Sequence, residues 1–456
     1  MSGIRIENLR RSLEGVVASV LATADGDGMP NVSMISQVHY VDPDHVALSY
    51  QFFNKTRRNL LLTRTACVLI SDPATLASHR LELEFVETQT SGPLFESMKA
   101  KLAGIASHHG MEGVFRLLGA DIFVIRSIEE VPFLALLPPP PEPPLLPAVR
   151  QCVAELDTCS DLDALLDLAL ECLERHFGIG HSMILMVDAR ERRLYTVASR
   201  GYVKSGVGFE AAFGEGVIGV AAMENTPIRI GHMTSDYRYG AALVDTAQRA
   251  GLLSTRPVEI AFPGLPSPGS QIALPIAVGK SVSGILFAED ENVMRFGYDD
   301  EDALAVLAGY LGAMIELLRE DEEELSDEPG PAGKRTGKSI TARLHQADQS
   351  IFLNHSYLIK GVAGAILWKL LREYTSTGRT EFSNRELRLD PGLRLPAHSE
   401  NLEARLILLR KRLEERQSGL GIEKIARGRF RLVVEGPVTL EEFDGSGSSG
   451  TPVANI

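Results

Sequence analysis

The segment that decides the architecture runs SENLEARLILLRKRLEERQSGLGIEKIARGRFRLVV, residues 399 to 434. Leu402, Leu406, Leu409 and Leu413 recur at spacings of four and three, which makes one apolar stripe along a helix. Arg405, Arg410, Lys411, Arg412 and Arg416 lie largely off that stripe. Ser399 suits the N-cap, and Glu400 falls in the first turn, where the helix dipole favours an acid. The second half predicts a β-hairpin. Ile422 and Ile425 lead into a tight turn near Arg427-Gly428-Arg429, and Phe430, Leu432 and Val434 alternate after it. Two readings fit such a helix. It is an amphipathic partner helix with a solvated charged face, or it enters a DNA major groove while the hairpin arginines reach phosphates.

Working outward, Ile359, Val362, Ile366 and Leu370 recur at helical spacing between Leu358 and Leu371, together with Trp368, the only tryptophan. After Gly378, Ser383-Asn384-Arg385-Glu386 has the spacing of a capping box and predicts a second short helix. The order helix, short strand, helix, basic helix, hairpin resembles the winged-helix effector domain of two-component response regulators. The residues that carry this are NLEARLILLRKRLEE and KIARGRFRLVV. The resemblance implies DNA as a partner, with Arg405, Arg410, Lys411, Arg412, Arg427 and Arg429 as contacts. Residues 340 to 435 hold 17 Lys and Arg against 11 Asp and Glu, whereas the whole chain is at −14, so the cations gather at this end.

Length and composition bound the rest. With 456 residues, 44% hydrophobic and 23% charged, the chain is long enough for two to four globular domains. It has no run of 18 apolar residues, and its start, MSGIRIENLRR, lacks the apolar core of a signal peptide, so a cytoplasmic location is expected. The acidic balance argues against a whole surface that coats nucleic acid. Cys67, Cys152, Cys159 and Cys172 show no CxxC spacing. They read as small apolar residues, the last three on the first helix of the central block as core or dimer-seam residues. Pro138 to Pro144 is a stiff proline-rich spacer, Glu320 to Gly337 is an acidic then Gly- and Pro-rich linker, and the Gly/Ser-rich end reads as disordered. The expected units are therefore 1–135, a linker 136–147, 148–318, a linker 319–345, 346–436 and a tail 437–456, an α+β multidomain protein.

In the first unit, short strands at close spacing with turn signals such as Asp25-Gly26-Asp27-Gly28 predict a β-barrel. Between two strands lies Gln51-Phe52-Phe53-Asn54-Lys55-Thr56-Arg57-Arg58-Asn59. Its cations, amides and hydroxyl suit a phosphate, or they form a solvated helix start. DGDGMPNVSMIS and NKTRRNLLLTRTACVLI resemble the pyridoxamine phosphate oxidase-like flavin-binding split barrel. That resemblance implies FMN, with Ser36 near the flavin ring, Gln51 near the ring or ribityl chain, and Asn54, Lys55, Thr56 and Arg58 at the phosphate end. Haem or deazaflavin, used elsewhere in the superfamily, are the alternatives. It also implies a homodimer.

In the second unit, DLDALLDLALECLERHF from Asp161 is an amphipathic helix capped by Ser160 or Asp161. Strands follow at Ser182 to Asp188 and Arg193 to Ser199, then a Gly-rich turn into a helix, a short strand at Thr226 to Ile230, a strand pair across Gly279-Lys280, and a closing helix from Asp299. GEGVIGVAA, NTPIRIGHMTSD and ALPIAVGKSVSGILFAED resemble a GAF domain, an α/β sandwich that holds a small ligand or serves for dimerisation. The long loop from Tyr237 to Gln271 suits a pocket cover. His176, His181 and His232 read as structural histidines. No acid/base pair or nucleophile constellation stands out, so no catalytic or metal residue is assigned. The expectation is a ligand- or redox-responsive transcription regulator. The competing class is a flavin-dependent oxidoreductase with regulatory modules attached.

Overall fold

The computed structural model describes residues 4–14, 17–35, 38–51, 54–108, 117–132, 136–137, 144–188, 191–231, 260–322, 339–346, 349–354, 356–393, 402–426 and 428–443. Ser36, His232, Arg427, the Ser399-Glu400 cap, most of the proline-rich spacer and most of the acidic linker lie outside them.

The N-terminal unit starts with a 3-10 helix, Ile6–Leu13. Strands β1 (Ser19–Ala24), β2 (Pro30–Ile35), β3 (Val38–Asp42) and β4 (His45–Tyr50) lead to helix α1 (Asn54–Thr63). Then come β5 (Thr65–Ser71), β6 (Ser78–Gln89), α2 (Pro93–His108) and β7 (Gly119–Val131). One seven-stranded antiparallel sheet results, in the order β2-β1-β5-β6-β7-β4-β3. The Asp25–Gly28 turn forms as the sequence indicates: Gly28 takes φ +81°, which glycine adopts without strain, and its N–H donates to the Asp25 carbonyl at 3.0 Å.

The central unit opens with two helices, α3 (Leu145–Leu156) and α4 (Leu162–Phe177). Asp161 caps α4, accepting from the Ala164 N–H, and Gly178 closes it in the left-handed region. The cysteines expected on one helix therefore occupy two: Cys152 lies on α3, Cys172 on α4, and Cys159 in the connection. Strands β8 (His181–Asp188), β9 (Arg193–Arg200) and β10 (Glu210–Ala212) precede α5 (Gly216–Glu224). β11 (Ile228–Ile230), β12 (Ser270–Val278), β13 (Ser281–Asp290) and α6 (Tyr298–Glu322) complete the unit. The six-stranded sheet runs β10-β9-β8-β13-β12-β11. Alternation sorts its side chains. Ile184, Met186, Leu274 and Leu286 pack in one cluster with α4 and α6, while Met183, Leu185, Ile285 and Phe287 pack in another with α5.

The C-terminal unit is larger than the sequence suggests. β14 (Ile340–His345), β15 (Ser350–Leu353) and β16 (Ser356–Ile359) come first, then α7 (Gly361–Thr377), β17 (Glu381–Ser383), α8 (Asn384–Leu389) and α9 (Leu402–Arg416). A hairpin, β18 (Leu420–Ala426) and β19 (Arg429–Val434), is followed by β20 (Val438–Phe443). The capping box at Ser383 and Glu386 is complete. β14 and β20 pair in parallel from Ile340↔Val438 to His345↔Phe443. Both strands correct the expected boundaries, since β14 lies in the assumed 319–345 linker and β20 in the assumed tail. Each is too short and too mixed in polarity to announce itself; β14 also pairs antiparallel with β15, and β20 joins the sheet only through its long-range pairing with β14.

The units meet closely. Arg229, 1% exposed, reaches Glu14 at 2.7 Å and Glu301 at 2.8 Å, and its guanidinium lies 4.7 Å from the Tyr298 ring. This cluster joins the N-terminal and central units. The core of the central unit runs on without a break into that of the C-terminal unit, from Val149 to Leu432.

Candidate functional site

Two basic stretches carry the sequence-based site residues, and the fold treats them differently. The first is the start of α1. Its first turn holds no acid. Lys55 and Arg58 are exposed, and neither meets a carboxylate among the described residues. Thr56 is buried and turned inward: Asn31 Nδ2 donates to its Oγ1 at 2.9 Å, and Ser33 Oγ lies 3.3 Å away. Arg57, between the two exposed cations, is tied down. It donates to Asp121 at 2.5 Å and to Thr88 at 2.7 Å, with its guanidinium 4.6 Å from the Tyr50 ring. Gln51 is buried, its amide donating to Ser49 Oγ at 3.4 Å. Asn54 begins the helix, but its side chain lies outside the described residues. Two exposed cations, without a carboxylate partner among the described residues, beside the N-terminus of a ten-residue helix fit an anionic phosphate. Thr56 corrects the expectation, because its hydroxyl holds β2 instead of facing out.

The second stretch is α9. Here the expected DNA contacts are engaged by the protein itself. Arg405, 4% exposed, donates to Asp188 at 2.5 Å and lies 3.8 Å from the Tyr195 ring. Arg410 pairs with Asp163, and Lys411 with Asp167 at 2.7 Å. Arg412, 6% exposed, donates to the Leu358 carbonyl at 3.2 Å and to Glu415 at 2.6 Å. Arg429 sits 3.8 Å from Glu381. Arg405, Arg410, Lys411 and Arg412 thus do not face solvent as a duplex-binding surface, which corrects the expectation drawn from their position off the leucine stripe. The physical reason is that α9 is covered on two sides. Leu402, Leu406, Leu409 and Leu413 are buried, and so are Ile407 and Leu408. A buried leucine contributes roughly 1.5–3 kcal/mol, whereas a buried pair such as Arg405–Asp188 is costly to break but adds little net over apolar contacts of the same size. The apolar contacts therefore set the strength of docking and the cations set its register.

The acceptors are Asp163, Asp167 and Asp188, which no local pattern marks as partners of α9. The helix itself carries a signal: the four consecutive apolar residues Leu406 to Leu409 are more than a one-sided helix buries. Asp163 and Asp167, four apart on α4, offer one acidic face.

A third feature is the α5 side of the central sheet. Phe209 meets Phe262 with ring centroids 5.1 Å apart, and Phe262 meets Phe287 at 5.8 Å. The fully buried Glu289 accepts from Gln271 Nε2 at 2.9 Å and from the Leu265 N–H at 2.7 Å. Burial pushes the Tyr202 hydroxyl pKa up, and the nearby Glu289 carboxylate adds to it. Next to Phe209, Gly208 has φ +87°. A Cβ there would stand 2.6 Å from Ile260, 3.4 Å from Arg412 and 3.6 Å from Leu408. At this strand end, Gly208 is thus closely approached by Leu408 and Arg412 of α9.

Residues 159–316 match the family model for a GAF domain and form one, a sensory module of ligand-responsive signalling proteins. No curated protein matches the chain. Among solved structures, the chain is similar to the GAF domain of an Acinetobacter phosphoenolpyruvate-protein phosphotransferase, at 17% identity over 40% of this chain and 97% of that one, TM-score 0.30. It is also similar to a free methionine-R-sulfoxide reductase from Neisseria meningitidis in complex with its substrate, at 22% identity over 38% and 89%, TM-score 0.29. An FMN-binding protein from Syntrophomonas wolfei subsp. wolfei is similar at 21% identity over 27% and 85%, TM-score 0.24. Among the described residues no helix is long and apolar enough to cross a membrane.

Proposed function

We propose that this chain is a ligand-responsive regulator in which the GAF domain restrains the basic helix of the C-terminal unit. The observation that carries the reading is the row of GAF carboxylates at α9: Asp188 on Arg405, Asp163 on Arg410, Asp167 on Lys411. They stand to α9 as the phosphates of a duplex would. The order α7, β17, α8, α9 and the β18–β19 hairpin supports a winged helix as output. Arg405 and Arg412 are interface residues. Arg410 and Lys411, at the edge, are the cations that exchange carboxylate for phosphate. A small ligand on the α5 side, beside Phe209 and Glu289, moves the strand end at Gly208 and so loosens α9. Exposed Lys55 and Arg58 are the groups that would hold the phosphate of a flavin in the N-terminal unit, where the flavin supplies redox chemistry. Val32 and Met34, 66% and 64% exposed on the edge strand β2, support a second copy of the chain as partner, and light scattering of the purified protein tests this.

The test of the restraint is a mobility shift on mixed-sequence duplex across a salt series. Asp163→Asn with Asp167→Asn binds at least about tenfold tighter than wild type, with a steeper salt slope from one or two more phosphate contacts. Equal affinity and slope would remove DNA as the output. The flavin reading is tested by the absorbance of the purified full chain, and protein without a flavin-type band rejects it.

A further inference from the structure

The helices α3 and α4 bring together four metal-ligating groups that the function above does not use. Cys152 and Glu155 are three apart on α3, so they lie on one face; Cys172 and His176 are four apart on α4 and also share a face. The two faces meet. The sulfurs of Cys152 and Cys172 and a ring nitrogen of His176 all lie within 4.8 Å of one another. Glu155 stands beside them, with Oε1 2.8 Å from His176 Nε2 and Oε2 3.6 Å from Cys172 Sγ. Arg175 holds this carboxylate at 2.5 Å and lies 3.8 Å from Cys172 Sγ.

We infer that Cys152, Cys172 and His176, with Glu155 as fourth ligand, form a binding site for a zinc-class divalent cation. Two sulfurs and an imidazole select a borderline-soft ion over magnesium or calcium, which take oxygen. A tetrahedral ion would draw the two sulfurs and the ring nitrogen together and part Glu155 Oε1 from His176 Nε2, which stand 2.8 Å apart. Binding releases the two thiol protons, and no electron moves. The product carries two thiolates and one carboxylate against the dication, and Arg175 balances the remaining charge. The setting suits the ion. Both cysteines are buried against Leu156, Leu173, Leu307 and Leu311, which exclude water on one side. His176 and Glu155, part exposed at 18% and 34%, give an entry path on the other. A disulfide would use the sulfurs alone and gives no reason for a histidine and a glutamate to converge on the same point. The ion would clamp α3 to α4 and thereby fix the helix that enters the GAF domain from the N-terminal side.

The test adds Co2+ alone to the reduced full chain and follows the absorbance. One equivalent gives thiolate-to-cobalt charge transfer and the visible bands of a tetrahedral ion, and Zn2+ displaces it. Zn2+ protects Cys152 and Cys172 from alkylation. Arg175→Ala, outside the ligand set, weakens affinity about ten- to a hundredfold. The wild-type measurement needs no variant to fold. No charge transfer at several equivalents overturns the proposal. So does an unchanged band in Cys152→Ser with Cys172→Ser, since Cys67 or Cys159 would then carry it. A Cys152–Cys172 disulfide that forms equally fast with and without Zn2+ overturns it as well.

Discussion

The start of α1 and the length of α9 look alike as sequence, each a cluster of Lys and Arg on a short helix. In the structure they part company. Lys55 and Arg58 face solvent without carboxylate partners among the described residues, whereas Arg405, Arg410 and Lys411 each meet an aspartate of the GAF domain. The difference lies in what covers each helix, and no local pattern states it. A basic cluster becomes a ligand site only where the fold leaves it uncovered.

The largest effect expected from breaking this contrast is at Arg405. Arg405→Ala leaves Asp188 buried and also removes the contact with Tyr195. It should destabilise the joined GAF and C-terminal units by about 3–5 kcal/mol in urea unfolding. A loss under about 1 kcal/mol would mean that the pair is looser than its burial implies.

Arg57 sharpens the comparison, being an α1 residue with an α9 fate. Burial raises the Asp121 carboxyl above its ordinary 3.8, with Thr88 and Arg57 pulling it back down. A carboxyl whose folded pKa exceeds the unfolded one binds its proton more tightly when folded, so stability is lost as pH rises through that interval. Arg57→Ala removes one restraint and raises the carboxyl further. The variant should lose about 2–3 kcal/mol at pH 7 and markedly less at pH 4, read from melting curves at both values. An equal loss at both would mean that Asp121 does not feel Arg57.

The smallest effect on stability belongs to Lys55→Ala with Arg58→Ala. Both residues are exposed, so the change in stability stays within about 0.5 kcal/mol. Affinity for FMN, measured by fluorescence quenching, should fall about tenfold or more through loss of two charge-assisted contacts. Unchanged affinity would place any flavin elsewhere.

Much of the fold was legible because its signals are local. The Ser383–Glu386 box, the Asp161 cap, the Gly28 turn and the β18–β19 hairpin each rest on residues within a few positions. The GAF elements were legible for the same reason. What escaped was set at long range. Arg405 and Asp188 are 217 residues apart. β20 pairs with β14 across about a hundred residues, and no local pattern marks either segment as more than linker or tail. Cys152 and Cys172 are core residues, as expected, but their meeting with His176 is set by the packing of α3 on α4 and has no local signal. Among the expected flavin residues, Lys55 and Arg58 face outward as their charge suggests. Thr56 does not, since a hydroxyl serves equally well inside, bonded to Asn31 and Ser33.

The most direct measurement is a double-mutant cycle on Arg405→Ala and Asp188→Asn, with the stability of each variant taken from urea unfolding of the full chain. If the basic helix is held by the GAF carboxylates, the double variant recovers part of the loss, with a coupling of about 2 kcal/mol or more. Two losses that add to within about 0.5 kcal/mol would show that the helix and the GAF domain are not joined through this pair, and the proposed restraint would have no physical basis.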